Sequence, residues 1–300
     1  MKNILGIFVT IVIGAMTFTS CDPVNNREVM KGAVTEADVR AKVKIESIPF
    51  ESEITPGKMV NSNYIRITSD GLAPCVTSFT HGLGTFYGTD IDSLQAFVVP
   101  GTFDVYVNVI NADGTSLPPI AFPVTVDECF NVAPEWATFC GEGEKVWTWD
   151  PNADSQSRVW GNGGYLSDTQ LAWWGQTAED VNGQSNALNE GAGAFMTLSA
   201  DGATLTKTKS DGSVVAGTFR FDMSKTKNSA NDPSVLWSIG KFYTTGVTVL
   251  CGKAQNQGEG PVYEYDILKL DDNHLVLGWP ETGDSEGAWG GCWYWLFKSE

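Results

Sequence analysis

Basic and imidazole side chains are scarce in this chain: its 300 residues hold 19 Lys plus Arg against 36 Asp plus Glu, and only two His. The formal charge of −17 provides no cationic surface for neutralising phosphates, which argues against nucleic-acid binding by counterion release. It also provides no polybasic stretch to draw the protein onto anionic lipid. His81 lies in a glycine-rich loop and His274 follows an Asp-Asp-Asn turn, so a Ser-His-Asp triad has little material. No glycine-rich phosphate loop enters a helix and there is no HExxH motif. The cysteines beyond Cys21 (Cys75, Cys129, Cys140, Cys251 and Cys292) contain no CxxC pair, and nothing reads as a zinc site. A Cys129–Cys140 bridge and buried unpaired thiols both remain open. Tryptophan is missing before Trp136, whereas all 11 lie from there to Trp295.

The N-terminus has a charged start at Lys2, an apolar run over residues 4–16 and small or hydroxylated residues leading to Cys21. This is the pattern of a secretory signal peptide over residues 1–20. The run is shorter than the roughly 20 residues that a spanning helix requires. Phe18-Thr19-Ser20-Cys21-Asp22 resembles the lipobox of bacterial lipoproteins. The resemblance implies cleavage before Cys21, lipidation of Cys21, and a polar tether over residues 21–35 holding the folded part off a membrane.

The 32 Gly and 13 Pro punctuate short period-two segments, and helical periodicity is confined to residues 36–44. An all-β protein is expected. Strand patterns cover residues 43–50, 64–68, 96–99, 103–110 and 120–126, the last with Pro123 suggesting an edge position. About seven strands over residues 36–130 fit an immunoglobulin-like sandwich. The run from Pro100-Gly101-Thr102-Phe103-Asp104-Val105-Tyr106-Val107 through Asn111-Ala112-Asp113-Gly114 resembles the end of a PKD-type domain, a family that usually acts as a spacer.

Composition changes over residues 127–134, which marks a second domain at 131–300. Hairpin signals at Asp201-Gly202 and Asp211-Gly212 set residues 194–198, 203–207 and 214–222 into a meander. Residues 235–243, 247–251, 263–270, 274–279 and 292–297 supply further strands. A jelly-roll-like sandwich is the first expectation for this half, and a closed lipocalin-like barrel is the alternative.

Paired carboxylates for glycosidic cleavage could be drawn from Glu264 and Asp266, or from Glu281, Asp284 and Glu286, but acidic residues are common throughout and solvated surface is the expected reading. Asp150, Asn152 and Asp154 have the alternating spacing of a calcium loop, interrupted by Pro151 and without the Gly and Glu of an EF-hand. No cofactor is expected beyond that calcium alternative. The aromatic inventory is more informative. Trp147 and Trp149 share one strand face, as do Trp293 and Trp295; each pair could be core or binding surface. Trp160, Trp173, Trp174 and Trp289 sit among Gly and polar residues and are expected to be exposed. A pyranose ring offers a CH-rich face to an indole and a hydroxyl rim to amides, and residues 160–189 mix three Trp with Asn162 and six further Asn and Gln.

Trp147-Thr148-Trp149-Asp150, Trp160-Gly161-Asn162-Gly163-Gly164-Tyr165 and Trp173-Trp174 resemble the C-terminal domain of surface glycan-binding lipoproteins of Bacteroidetes polysaccharide-utilisation systems. The resemblance implies a non-catalytic, lipid-anchored protein at the cell surface of the outer membrane, with polysaccharide as ligand and an outer-membrane glycan transporter complex as partner. The candidate ligand-binding residues are Trp160, Trp173, Trp174, Trp289, Trp147, Trp149 and Asn162. A glycoside hydrolase and a structural component of an outer-membrane complex are the alternatives.

Overall fold

The computed structural model describes residues 33–72, 75–281 and 290–300. The signal peptide, Cys21, most of the tether, Asp284, Glu286 and Trp289 lie outside the described residues. The chain is all-β, with 50% strand and 8% helix. No helix among the described residues is long and apolar enough to cross a membrane.

The first unit opens with helix α1 (Glu36–Lys42), started by a capping box in which Thr35 and Asp38 exchange side-chain and backbone bonds. Seven strands follow: β1 (Val43–Glu51), β2 (Met59–Ser69), β3 (Cys75–His81), β4 (Gly84–Tyr87), β5 (Ile91–Gln95), β6 (Gly101–Asn111) and β7 (Ile120–Val126). They form a three-stranded sheet in the order β1-β2-β5 and a four-stranded sheet in the order β4-β3-β6-β7. Ile65 and Ile67 from one sheet share a core with Phe79, Val105, Val107, Val109 and Val124 from the other. Pro123 sits on an edge strand, where its missing N–H costs no ladder bond. Residues 96–99, expected as a strand, are instead a buried crossing after β5. Their apolar character serves packing: Phe97 stacks on Phe103 at 4.7 Å, while Val98 and Val99 join the core of the second half.

The second half begins with helix α2 (Glu135–Cys140) and continues through β8 (Glu144–Trp149), β9 (Arg158–Gly164), β10 (Trp174–Thr177), helix α3 (Ala178–Val181), β11 (Phe195–Ser199), β12 (Thr204–Thr208), β13 (Val214–Asp222), β14 (Lys227–Asn228), β15 (Leu236–Ser238), β16 (Gly240–Thr245), β17 (Glu264–Leu270), β18 (His274–Pro280) and β19 (Gly291–Ser299). The expected jelly-roll-like sandwich is not what forms. Consecutive hairpins place β8, β11, β12, β13, β16, β17, β18 and β19 side by side, and β19 returns to pair with β8, closing an eight-stranded barrel. Closure removes the exposed edges that an open meander would leave.

The seam is the C-terminal part of β19, where Phe297, Lys298 and Ser299 oppose Trp149, Thr148 and Trp147. The N-terminal part of the same strand pairs with β9 instead. The sheet forks between them, where Asp150 N–H donates to Leu296 O at 2.9 Å, and β9 with β10 extends as a wing beyond the barrel. β19 is buried on both faces, which explains its unbroken apolar run. Trp293, Trp295 and Phe297 enter the barrel core. Cys292, Tyr294 and Leu296 pack outward against Trp237, Tyr165 and Leu171.

The interior is filled rather than hollow. Trp147, Trp149, Leu198, Leu205, Phe219, Phe242, Tyr265, Ile267, Leu275 and Leu277 interlock there. Helix α2 seats Phe139 against Phe219, Phe221 and Phe242, and Trp147 Nε1 donates to Phe139 O at 2.9 Å. Residues 247–251 are also not the expected strand; they turn across the barrel with Cys251 at φ 50° and bury Val247, Val249 and Leu250. Glu190 is held there by Lys207 at 2.8 Å and Lys209 at 3.1 Å, and its Oε2 accepts from Cys251 N–H. Burial lowers the Lys207 pKa, opposed by the adjacent Glu190 carboxylate.

The five described cysteines are free thiols. Burial pushes the Cys129 pKa up to about 11 and that of Cys140 up to about 12, and raises those of Cys251 and Cys292 further. Native protein treated with a thiol-reactive disulfide at pH 8 should therefore leave Cys140, Cys251 and Cys292 unmodified until denaturant is added. At the seam, Phe297→Ala removes a ring stacked on Trp149 at 4.7 Å and should cost about 3–5 kcal/mol in denaturant unfolding.

Candidate functional site

The wing is built by glycines that admit a neighbouring strand. A Cβ on Gly161 would lie 2.1 Å from Trp174 O and 2.4 Å from Gly175 Cα, so only glycine allows β10 to close on β9. One on Gly163 would meet Asp168 Oδ2 at 3.0 Å, the oxygen that accepts from Gly164 N–H. Glycine beside indole thus serves chain packing here. Asn162 fixes the turn into β10: its backbone oxygen accepts from Ala172 and Trp173 N–H, and its Oδ1 accepts from Trp174 N–H at 3.1 Å.

Register then assembles an aromatic face across four strands. Trp174, Asn162, Trp293 and Trp279 are successive partners across β10, β9, β19 and β18. The adjoining row is Gln176, Trp160, Trp295 and Leu277. Directly paired residues project to the same side, so the indoles gather: Trp160 and Trp293 rings lie 4.8 Å apart, and Trp174 stands edge-on to them at 6.1 and 6.0 Å. Trp160 and Trp293 form the buried floor, whereas Trp174 is 46% exposed and its neighbour Trp173 52% exposed. Trp279 is half-buried at the far end of the row.

Polar groups border this face. Trp293 Nε1 donates to Glu281 Oε1 at 2.7 Å. Gln184 Nε2 donates to Gln176 Oε1 at 2.7 Å, and Lys253 Nζ donates to Gln184 Oε1 at 3.0 Å. Lys253, only 2% exposed, pairs with Glu259 at 2.5 Å and lies 5.7 Å from the Trp160 ring centroid, close enough for a cation–π attraction. Partial burial opposes ionisation of Glu259, but its bonds to Lys253 and Asn256 N–H outweigh that and hold its pKa below the ordinary value. The loop carrying this pair places Cys251, Asn256 and Glu259 in the left-handed region, which is uncommon outside glycine. A cleft of about 340 Å³ opens beside it, lined by Asn186, Thr248, Gly252, Lys253, Glu259 and Pro261. Two buried polar atoms have no partner among the described residues nearby in sequence or register: Trp160 Nε1 and Gln255 Oε1.

Of the residues expected to bind ligand, Trp173, Trp174 and Asn162 come together at this face. Trp160 lies beneath it, fully buried rather than exposed, because β10 and the Lys253 loop cover it. Trp147 and Trp149 point into the barrel, where Trp149 Nε1 donates to Glu190 O at 2.8 Å; both are core. Trp289 lies outside the described residues. Trp279, Lys253 and Glu259 were not singled out from the sequence. Trp279 carried a usable signal, its alternation with Leu275 and Leu277, but Lys253 carried none.

Other candidates are occupied by structure. Lys241 bridges Glu264 at 2.9 Å and Asp266 at 3.2 Å, and Asp266 is also paired with Lys227 at 2.8 Å. Arg158 takes both oxygens of Asp154 at 3.0 and 2.7 Å, while Asp150 Oδ1 accepts from Asn152 N–H. The calcium-like spacing therefore forms a turn, and no group of three metal-ligating side chains is assembled among the described residues. No family model matches the chain, and no curated protein matches it.

The burial order has a direct readout. Limited oxidation with N-bromosuccinimide, followed by peptide mass spectrometry, should modify Trp173 and Trp174 before Trp160, Trp293, Trp147 or Trp149.

Proposed function

We propose that this chain is a non-catalytic polysaccharide-binding protein that presents the Trp174 face to glycan at the outer cell surface. The observation that carries the reading is the row Trp174, Asn162, Trp293 and Trp279, in which an exposed indole rests on buried ones beside amide groups. Exposed indole edges and faces cover the CH side of a sugar ring, and the bordering amides reach its polar rim. A role for tryptophan in the core alone accounts for Trp147, Trp149 and Trp295, but not for the exposure of Trp173 and Trp174.

The seven strands in a three-plus-four arrangement support an Ig-like, PKD-type spacer between the anchor and the barrel. Its likeness to surface glycan-binding lipoproteins supports lipidation at Cys21 and a place on the outer membrane, beside a glycan transporter complex. Affinity at one face is modest, since each stacked ring adds about 0.5–1.5 kcal/mol beyond area burial, and many copies on one surface compensate. Glu264 and Asp266 lend the enzyme reading no support, because they share Lys241.

Affinity electrophoresis of residues 21–300 through gels containing neutral polysaccharides tests the reading. Retardation by at least one is expected, and Trp174→Ala should weaken it by about 0.5–1.5 kcal/mol with an unchanged circular dichroism spectrum. Equal mobility in all gels would contradict the proposal.

A further inference from the structure

The fork in the sheet leaves a pocket that the tryptophan face does not use. Where β8 and β9 part along β19, a cleft of about 350 Å³ opens between the turn after β8 and the outer side of β18 and β19. Trp293, Trp295 and Phe297 enter the barrel core, so by alternation Leu296 and Lys298 face the other way. Register sets Val276 beside Leu296 and His274 beside Lys298, and directly paired residues share a side. Val276 and Leu296 are thus an apolar floor, and His274 and Lys298 a basic wall. The volume lies at the small end of the roughly 300–1,000 Å³ that ligand pockets span, which suits one or two sugar rings.

Both polar walls are held in place by the fold itself. Asp150 N–H donates to Leu296 O at 2.9 Å, Asp150 Oδ1 accepts from Asn152 N–H at 3.0 Å, and the Arg158 fork on Asp154 pins the far end of the turn. Across the pocket, His274 Nδ1 lies 3.0 Å from Asp271 Oδ1, which also accepts from the N–H groups of Asn273 and His274. Asp150 Oδ2 is left facing His274 Nε2 across 3.9 Å, too far for a hydrogen bond. Asp150 is only 4% exposed, and a buried carboxylate oxygen calls for a donor. Lys298 Nζ pairs with no carboxylate among the described residues and calls for an acceptor, while His274 Nε2 presents a lone pair or an N–H according to its charge. A hydroxyl both donates and accepts, so it answers all three. A carboxylate would bring acceptors only, against Asp150 and Asp271, and an ammonium would bring donors only and leave Lys298 unanswered. Adjacent hydroxyls on a ring whose CH groups rest on Val276 and Leu296 meet every wall together, with the side chains of Asn152 and Gln170 at the rim.

We propose that the fork pocket is a second carbohydrate site, which takes a neutral pyranose through adjacent hydroxyls on Asp150 and Lys298, on the opposite side of β19 from the tryptophan floor. It does not rest on glycan binding at the Trp174 face. The chain has only two His, His274 in this pocket and His81 on β3 of the first unit, so the two imidazoles serve as probe and reference. Nuclear magnetic resonance of residues 21–300, titrated separately with glucose, galactose, mannose and xylose, follows the ring C–H signals of both. At least one sugar should move His274 saturably while His81 stays in place. Asp150→Asn, which replaces a carboxylate by an amide of the same shape, should weaken that sugar at least about tenfold, as expected for a hydrogen bond to a charged group. Lys298→Met should weaken it several-fold, and Trp174→Ala should leave the His274 titration unchanged. If Asp150→Asn fails to fold, the half-buried Lys298→Met variant decides.

A His274 signal unmoved by all four sugars overturns the site and assigns Asp150 Oδ2 to water, whether or not polysaccharide gels retard the protein. A saturable shift that keeps its affinity in Asp150→Asn and Lys298→Met overturns it too, as does one that Trp174→Ala removes, which would mark an effect transmitted from the aromatic face. A shift produced by glucuronate alone, or by alanine alone, overturns it in favour of an anion or a zwitterion.

Discussion

One strand carries the architecture on which the rest depends. β19 has only two edges, and one of them is divided: residues 297–299 close the barrel onto β8 while residues 291–295 hold the wing through β9. That division requires the chain to leave β8 at Asp150 and re-enter as β9 along the same edge. Its consequence is a floor of tryptophan that is continuous with the barrel core on one side and reaches solvent at Trp174 on the other. The aromatic face is therefore rigid by construction, since Trp160 and Trp293 cannot shift without disturbing the barrel core.

Polar residues in the barrel follow the same logic. Burying Lys207 or Lys253 is tolerable because each has a carboxylate and further acceptors around it. Breaking such a pair costs far more than the pair contributes. The two lysines differ in what lies beyond them. Lys207 bonds to Thr248 and Val249, whereas the chain from Lys253 through Gln184 ends at Gln176 on the aromatic face.

Much of this order was legible in the residues. Asp201-Gly202 and Asp211-Gly212 marked the hairpins of the meander, and their left-handed glycines confirm why. The Trp-x-Trp pairs were rightly placed on shared faces, but alternation alone does not say which side of a strand is inside. On β19 both sides are buried, so period two vanishes and both meanings fit. Residues 96–99 and 247–251 are apolar for packing and not for pairing, a distinction that only tertiary contact makes. Lys253 and Glu259 were invisible because they meet Trp160 and Gln184 through contacts far apart in sequence.

The central claim is that the tryptophans gathered at the Trp174 face meet sugar while Trp147, Trp149 and Trp295 in the barrel core do not. Titrating a neutral glycan retained in the gels into isotopically labelled protein, and following the eleven indole N–H resonances by nuclear magnetic resonance, tests it directly. Trp174, Trp279 and Trp160 should shift together with saturation, while Trp147, Trp149 and Trp295 stay in place. Shifts confined to Trp147, Trp149 and Trp295, or a spectrum unmoved by a glycan that retards the protein, would contradict the account.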